Sequence, residues 1–275
     1  MTVRPGEVAA FHARVGGPAA LVRVETAKGS TPRESGAWMV VSERATLGTI
    51  GGGQLEYLTI DAARAMLARG SDAETLDVPL GPEIGQCCGG RTLLSVARLD
   101  AARWQRLDAL AEREHRALPA VLIFGAGHVG RALAAAVDLL PLRPVIVDQR
   151  AEELAMVPPR VETVATALPE AEVRAAAPGA GYVILTHDHA LDFLIAREAL
   201  ARRDAGYVGM IGSRTKRVTF ERWLAKTDDP PAPDALVCPI GAIGRPDKRP
   251  EVIAAFVAAE ILEALVMRAR VTTTV

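Results

Sequence analysis

The sequence predicts an α/β protein in which an N-terminal mixed α+β domain precedes a Rossmann-like domain with a doubly wound parallel sheet. Strand-like and helical patterns are mixed in the first part of the chain, whereas strands and helices alternate regularly from Pro119 onward. A glycine-rich turn follows the first strand of the alternating part. With 275 residues and 49% hydrophobic content, the chain can bury two ordinary cores. We therefore expect the first domain over 1–117 and the Rossmann-like domain over 118–275.

The first domain begins with strand-like segments and then changes its period. Apolar stretches separated by turn-rich segments predict three strands. The apolar residues after the triple glycine recur at helical spacing, which predicts a helix. Two more strands and a charged helix complete the domain. The predicted elements are strands at 21–25, 38–42, 47–51, 75–80 and 91–98 and helices at 54–68 and 101–117.

The second domain begins with a βαβ unit, formed by a buried strand, an alanine-rich helix and a second buried strand. Later apolar runs alternate with helical segments, which is typical of a doubly wound parallel sheet. Pro250 starts a last helix with a continuous apolar stripe. The other predicted elements are strands at 120–127, 143–148, 161–166, 181–187 and 206–212 and helices at 129–140, 168–177, 190–203 and 215–225.

The segment GAGHVG lies between the first strand and the first helix of this second domain, where a dinucleotide-binding fingerprint is expected. Asp148 ends the next strand and is placed to bind a ribose, which favours NAD, while the nearby Arg150 leaves NADP open. The alternative is that the glycines only close a turn in a domain without a nucleotide. The candidate cofactor-binding residues are Gly125, Gly127, His128, Gly130 and Asp148.

Histidines follow two strands whose carboxyl ends are expected to face one crevice. With the usual 3-2-1-4-5 strand order, His128 lies across the ligand site from His187 and Asp188. Imidazole and carboxylate groups in that position could bind a metal, move a proton or hydrogen-bond a polar ligand. The spacing does not choose among these roles. The alternative is that His189 and Asp192 cap and solvate the start of a helix.

Three cations, Arg214, Lys216 and Arg217, occupy the first turn of a predicted helix. Positive charge opposes the helix macrodipole at that end, so an anion such as a phosphate is expected nearby. The alternative is a solvated basic face with Ser213 as the N-cap. Arg214 is the candidate anion-binding residue of this segment.

Two of the three cysteines, Cys87 and Cys88, are adjacent and flanked by glycines. Neighbouring Cα atoms lie about 3.8 Å apart, which is too close for an ordinary disulfide. The remaining roles are ligand, nucleophile, sulfur carrier or packing residue, and Arg91 could lower the pKa of a thiolate there. The spacing does not match a zinc site. Cys238, in an apolar segment, is expected to be a buried packing residue.

Two other loops of the first domain suit an anionic ligand. The segments GSTPRE and GTIGGG offer hydroxyl groups, an arginine and a glycine-rich helix start. Their candidate residues are Thr31, Arg33, Gly51, Gly52 and Gly53.

Charge and hydropathy exclude several classes of protein. The chain has 32 basic and 33 acidic residues, so no net field attracts it to nucleic acid or to an anionic membrane. The first residues lack the apolar run of a secretory signal, and no later window is apolar for long enough to cross a bilayer. We therefore expect a cytoplasmic protein.

A series of motifs resembles the signature blocks of the xanthine dehydrogenase accessory protein family, XdhC/CoxI. They run in order from about residue 29 to 262, and the form QCCGG is more similar to the XdhC branch than to the CoxI branch. The motifs are GSTPRESGAWMVV, GTIGGGQLE, LGPEIGQCCGG, FGAGHVGRAL, VDQR, THDHALD, GYVGMIGSRTKR, CPIG and PEVIAAFVAAEIL.

This resemblance implies a molybdenum cofactor chaperone rather than an enzyme with its own turnover. Such a protein holds the pyranopterin cofactor while a cysteine desulfurase helps to exchange an oxo ligand for sulfido. It then inserts the cofactor into the apo large subunit of xanthine dehydrogenase. Cofactor biosynthesis proteins are further expected partners, and a homodimer is expected. On this reading Cys88 is the first candidate for contact with the molybdenum or its sulfur, and Cys87 is the second.

Two other functions remain open from the residues alone. An NAD-dependent oxidoreductase would bind a small polar substrate near His128, His187 and Asp188 and would use the histidines as general acid or base. A metal-dependent hydrolase would use the cluster His187, Asp188 and His189 as ligands.

Overall fold

The structure is a computed structural model that describes residues 3–81, 89–242 and 247–267. It divides into two compact units, Met1–Ala117 (unit 1) and Leu118–Val275 (unit 2). Cys87 and Cys88 lie outside the described residues.

Unit 1 is built around an antiparallel sheet, with the strand order β3-β2-β1-β5-β4. The mixed α+β domain predicted from the sequence is confirmed. Its elements are α1 (Glu7–Val15), β1 (Ala19–Lys28), β2 (Trp38–Ser42), β3 (Thr46–Gly48), α2 (Gly53–Ala68), β4 (Ala73–Pro79), β5 (Arg91–Arg98) and α3 (Ala101–Arg116).

Helices cover both faces of the unit 1 sheet. Strand β2 is buried along its whole length, because its side chains alternate between two cores. Met39 packs in the core that includes Leu55 of α2, whereas Trp38 packs in the core that includes Phe11 of α1 and Trp104 of α3. The continuous apolar run of β2 therefore reflects a strand that is covered on both sides.

Unit 2 contains a parallel sheet with the order β11-β10-β9-β6-β7-β8, so its strands are arranged 3-2-1-4-5-6 by their sequence within the unit. The predicted Rossmann-like fold is confirmed. Its elements are β6 (Ala120–Phe124), α4 (His128–Val137), β7 (Arg143–Asp148), α5 (Ala151–Leu154), β8 (Glu162–Ala165), α6 (Pro169–Ala175), β9 (Gly181–Ile184), α7 (His189–Ala201), β10 (Tyr207–Met210), α8 (Arg214–Leu224), β11 (Leu236–Val237) and α9 (Pro250–Leu262).

The chain reverses its winding direction between the neighbouring strands β6 and β9, and the glycine turn lies at their carboxyl ends. Gly125 has a φ of 114°, and a methyl group there would lie 2.6 Å from the carbonyl oxygen of Leu185. A methyl group on Gly130 would overlap the carbonyl oxygen of Gly125. Both positions therefore require glycine, because strand, turn and helix approach one another closely there.

The sequence interpretation did not include two short helices, α1 and α5. Helix α1 has nine residues, of which only Val8 and Phe11 are buried, so its apolar stripe is short. Across residues 3–81, 89–242 and 247–267, no helix combines the length and the apolar character needed to span a membrane.

Candidate functional site

Three loops meet at one end of the unit 1 sheet, and we call them the glycine-loop cluster (residues 29–33, 48–53 and 89–90). A methyl group on Gly51 would overlap Pro32 and would lie 3.1 Å from Cγ of Arg33. A methyl group on Gly90 would overlap the carbonyl oxygen of Ser30. These close approaches bring three of the sequence motifs together, and Gly89 directly follows Cys88 in the sequence.

Glu56 of α2 organises the middle loop of this cluster. Its Oε1 accepts hydrogen bonds from the hydroxyl of Thr49 and, at 3.1 Å, from the N–H of Ile50. Burial opposes ionisation of this carboxyl group, but the bonds from Thr49 and from the N–H groups of Gly52, Ile50 and Gly51 lower its pKa. An internal carboxylate therefore already uses N–H groups that sequence analysis assigned to an external anion.

The cluster still offers groups to a ligand. Methyl groups added to Gly52 or Gly89 would meet no atom within 4 Å, so open space lies beside both residues, although the N–H of Gly89 already donates to the carbonyl of Leu80 at 2.7 Å. Arg33 is half-buried, and its guanidinium forms no ion pair within the described part of the chain. The hydroxyl of Thr31 donates to the carbonyl of Arg33 at 3.1 Å. This open space and the guanidinium of Arg33 can together accommodate a polar, negatively charged ligand.

A buried hydroxyl lies at the start of β5, two residues beyond Gly90. Thr92 is 1% exposed, and its Oγ1 has no hydrogen-bond partner within the described residues. A buried polar group without a partner is costly, so this position favours a polar neighbour.

Arg91 forms an ion pair with Asp77 on the neighbouring strand. Its Nε and Nη2 donate to the two carboxylate oxygens of Asp77, each at 2.7 Å. This exposed bidentate pair raises the pKa of Arg91 and lowers that of Asp77. Part of the charge of Arg91 is therefore balanced by Asp77, and its effect on a thiolate stays a prediction, because Cys87 and Cys88 lie outside the described residues.

In unit 2, Asp148 holds the glycine turn. Its Oδ2 accepts from the N–H of Ala126 at 2.7 Å, and Arg150 forms a bidentate ion pair with the same carboxylate. Burial opposes ionisation of Asp148, but the hydrogen bonds from Arg150 and Ala126 lower its pKa to about 2. The carboxylate is therefore ionised at neutral pH and bound to the protein itself.

A small cleft lies at the carboxyl ends of β6, β7 and β9, where a dinucleotide is expected. Its volume is about 10 Å³, and it is lined by Gly125, Asp148, His187 and Leu191 among other residues. Ligand pockets are commonly about 300–1,000 Å³, and about 10–15 Å³ suffices for one water molecule. The enclosed part of the cleft therefore has room for about one water molecule, and the cleft is open to solvent.

The predicted histidine and aspartate residues reach the same edge of the sheet, but they do not form a metal site there. Asp188 is the N-cap of α7, since its Oδ1 accepts from the N–H groups of Ala190 at 2.8 Å and Leu191 at 3.4 Å. His128 and His187 are exposed. No group of three or more potential metal ligands occurs in the described part of the chain.

A buried ion pair joins the two loops beyond β9 and β10. Lys216 donates to Asp192 and, at 2.9 Å, to the carbonyl of Ile211. Asp192 is fully buried, and its Oδ1 also accepts from the hydroxyl of Thr186 at 2.6 Å and its N–H at 3.1 Å. An anion was expected near the basic start of this helix. For Lys216, that anion is the side chain of Asp192.

The other two cations of that helix start differ from each other. Arg217 donates to Glu221 at 2.8 Å and to the carbonyl of Leu236 at 2.6 Å. Arg214 is exposed and forms no ion pair with any residue the structure describes. Arg214 therefore stays the predicted anion-binding residue of this segment.

Cys238 is buried, as expected for a packing residue, with 7% of its surface exposed. Burial raises the pKa of its thiol, which opposes the reactive thiolate form.

Glu56 was not among the predicted site residues, although the sequence carries a signal for it. An acidic residue in the first turn after a glycine-rich helix start is placed to accept hydrogen bonds from N–H groups.

Two protein-family models match the chain. The XdhC Rossmann domain matches residues 121–261, which is just over half of the 275 residues, and the XdhC and CoxI family matches residues 12–78. The uncharacterized protein YqeB of Escherichia coli K12 is 26% identical over 268 residues. That alignment covers 90% of this chain but 43% of YqeB, so the chain spans less than half of its relative's length.

A crystal structure of a xanthine dehydrogenase from Bacillus halodurans has a similar fold. The TM-score is 0.75 at 19% sequence identity, and the alignment covers 99% of this chain and 98% of that chain. At this level of identity the likeness concerns the fold alone.

Proposed function

Because the chain belongs to the XdhC and CoxI family, we propose that it is a chaperone for molybdenum cofactor. In this role the protein binds the cofactor as cargo, holds it during sulfuration and inserts it into apo xanthine dehydrogenase. The large subunit of xanthine dehydrogenase and a cysteine desulfurase are its proposed partners, together with cofactor biosynthesis proteins that supply the cargo. The protein itself is proposed to have no turnover.

The glycine-loop cluster is the observation that carries this proposal. It brings the loops that carry Arg33, Gly51 and Gly90 into close approach, and the guanidinium of Arg33, which forms no ion pair among the described residues, can bind an anionic group of a ligand. The buried hydroxyl of Thr92 lies two residues beyond this cluster, has no hydrogen-bond partner among the residues that the structure describes, and also favours a polar neighbour. Thr31, Gly51 and Gly53 belong to the same loops and are proposed to complete the contact.

Cys88 is proposed to contact the molybdenum or its sulfur ligand, with Cys87 as the second candidate. Both residues lie outside the described residues, but Cys88 directly precedes Gly89 of the cluster. A thiolate is a soft ligand and suits a metal centre that carries sulfur.

The proposal is tested by the pterin that the purified full-length protein retains when it is produced in cells that make the cofactor. Bound pterin is released, oxidised to a fluorescent product and measured per mole of protein. We expect Cys88→Ala to lower retention about tenfold, the effect of one contact worth about 1.4 kcal/mol. Cys87→Ala is expected to have a smaller effect.

Cys238→Ala is the matched control, because Cys238 is buried in unit 2 and its thiol is not predicted to contact cargo. Thermal unfolding of each variant separates a lost contact from a lost fold. No retained pterin in the wild type would refute the carrier function. Equal retention in the wild type and in the double variant of Cys87 and Cys88 would remove the thiols from the mechanism.

A further inference from the structure

The acidic residue at the end of β7 has already used its hydrogen-bonding capacity. Asp148 Oδ1 accepts from the backbone N–H of Arg150 at 2.9 Å and from its Nε at 3.0 Å. Asp148 Oδ2 accepts from the N–H of Ala126 at 2.7 Å and from Nη2 of Arg150 at 2.9 Å. A carboxylate offers about four lone-pair sites. Asp148 therefore has no acceptor site left for the hydroxyls of a ribose.

The Arg150 side chain is held in this position from two sides. Its planar guanidinium matches the carboxylate of Asp148 in a bidentate geometry, and Nη1 lies 3.5 Å from Oε1 of Glu153. The Asp148 side chain is 6% exposed, so water competes little for these bonds. Opening this pair for a ligand therefore breaks charge-assisted hydrogen bonds in a largely dry environment.

The same network fixes the glycine turn. Arg131 Nη1 donates to the carbonyl of Ala126 and to Glu153, each at 2.6 Å. Both backbone polar groups of Ala126 are therefore bound by charged side chains, its N–H by Asp148 and its carbonyl by Arg131. The turn is held by the protein's own charged side chains.

We propose that Arg150 determines what the crevice of unit 2 accepts, because it fills the acceptor sites of Asp148 and excludes ligands with a free ribose diol, such as NAD. In dinucleotide-binding domains, the acid at this position accepts hydrogen bonds from the ribose. In this chain the guanidinium of Arg150 takes the place of the ribose. This inference does not depend on the cargo proposed for unit 1.

The test is a fluorescence titration of the full chain with NADH. We expect weak binding by the wild type and binding that is roughly tenfold tighter or more in Arg150→Ala, because the carboxylate becomes free to accept from the ribose. Arg150→Met keeps the aliphatic stem and should show the same gain if the alanine variant folds poorly. Adding Asp148→Asn should remove most of the gain. Arg143→Ala, at the other end of β7, is the matched control and should leave affinity unchanged.

Three results would overturn the proposal. The first is that the wild type and the Arg150 variants bind NADH with equal affinity. The second is the absence of any gain in an Arg150 variant whose thermal unfolding shows an intact fold. The third comes from a parallel titration with NADPH: tight binding by the wild type that Arg150→Met loses would make Arg150 a ligand for the 2′-phosphate.

Discussion

In each unit, one carboxylate holds a glycine-rich loop in place through hydrogen bonds from its N–H groups. Glu56 in unit 1 and Asp148 in unit 2 accept hydrogen bonds from N–H groups of glycine-rich turns. The sequence shows such turns as anion-binding segments, and in both cases the first anion they bind is an internal side chain. A ligand at either turn must therefore use the groups that the carboxylate leaves free.

Glu56→Gln tests this role at the level of one residue. The folded-state pKa of Glu56 is lowered from its ordinary value of 4.5, so its ionised form stabilises the fold above that pH. The stabilisation is lost as the pH falls through the folded-state pKa. At pH 7 we expect the variant to be less stable by about 1–2 kcal/mol in urea unfolding. The difference from the wild type should shrink below pH 4.5.

Asp61→Asn is the control for this experiment, because Asp61 is an exposed acid on the same helix. It should change the free energy of unfolding little at either pH. A difference between the wild type and Glu56→Gln that stays constant from pH 7 to pH 3 would show that the charge of Glu56 does not stabilise the loop.

Individual partners explain why the site could be predicted only in part. The glycine positions and the basic helix start follow from residue type and spacing. The partner of Arg91 does not follow from residue type and spacing. Asp77 lies diagonally across the β4–β5 pair, and the sequence does not reveal that register. Glu56 and Arg150 act through hydrogen bonds that depend on turn geometry, on which hydrophobic periodicity carries no information.

At the level of elements, the Asp192–Lys216 pair joins helices α7 and α8. Lys216 reaches Asp192 beyond the ends of two neighbouring strands, and Asp192 is fully buried. Both charges are satisfied only when the two loops keep this arrangement. The pair therefore fixes the segment that carries His187 and Asp188 relative to the start of α8.

Asp192→Asn should destabilise the protein by about 3–5 kcal/mol, because it leaves the ammonium group of Lys216 buried without a counter-charge. A double variant, Asp192→Leu with Lys216→Met, should regain most of this loss, since no buried charge then remains. Urea unfolding monitored by circular dichroism measures both effects.

Glu198→Gln on the same helix is the matched control. Oε2 of Glu198 lies 3.2 Å from Nη1 of Arg174 in an ion pair that is more exposed than the Asp192–Lys216 pair. Replacing Glu198 should therefore lower the free energy of unfolding by less than about 1 kcal/mol. Equal losses for Asp192→Asn and Glu198→Gln would contradict a special role for the buried pair.

The elements themselves were largely predictable. The alternation of apolar runs and helical segments predicted the strand order around β6, since parallel strands connected by helices follow few topologies. Helix α1 was not predicted, because nine residues with two buried side chains give little periodic signal.

At the scale of the whole molecule, each unit buries its own apolar cores. Ile123 of β6 is fully buried within unit 2, and Leu94 of β5 is fully buried within unit 1. The stability of each sheet should therefore depend mainly on its own core residues.

Ile123→Ala is expected to lower the stability of unit 2 by about 2–5 kcal/mol through loss of buried surface and the cavity left behind. Hydrogen exchange followed by mass spectrometry should show faster exchange in β6, β7 and β9, with β1 and β5 little changed. Leu94→Ala is the reciprocal control and should produce the opposite pattern. Faster exchange in both units for either variant would show that they unfold as one cooperative body.

The outer strands of both sheets limit how two copies of the chain could associate. In unit 1, β3 has three residues, and β4 carries Glu74 and Asp77 in ion pairs and ends at Pro79. In unit 2, β11 has two residues and β8 has four. Edge strands that are short, that carry charged side chains or that end at a proline are poor templates for adding another strand. Dimers of this protein should accordingly form through helical or loop surfaces, and the same edge strands should protect it against amyloid-like stacking.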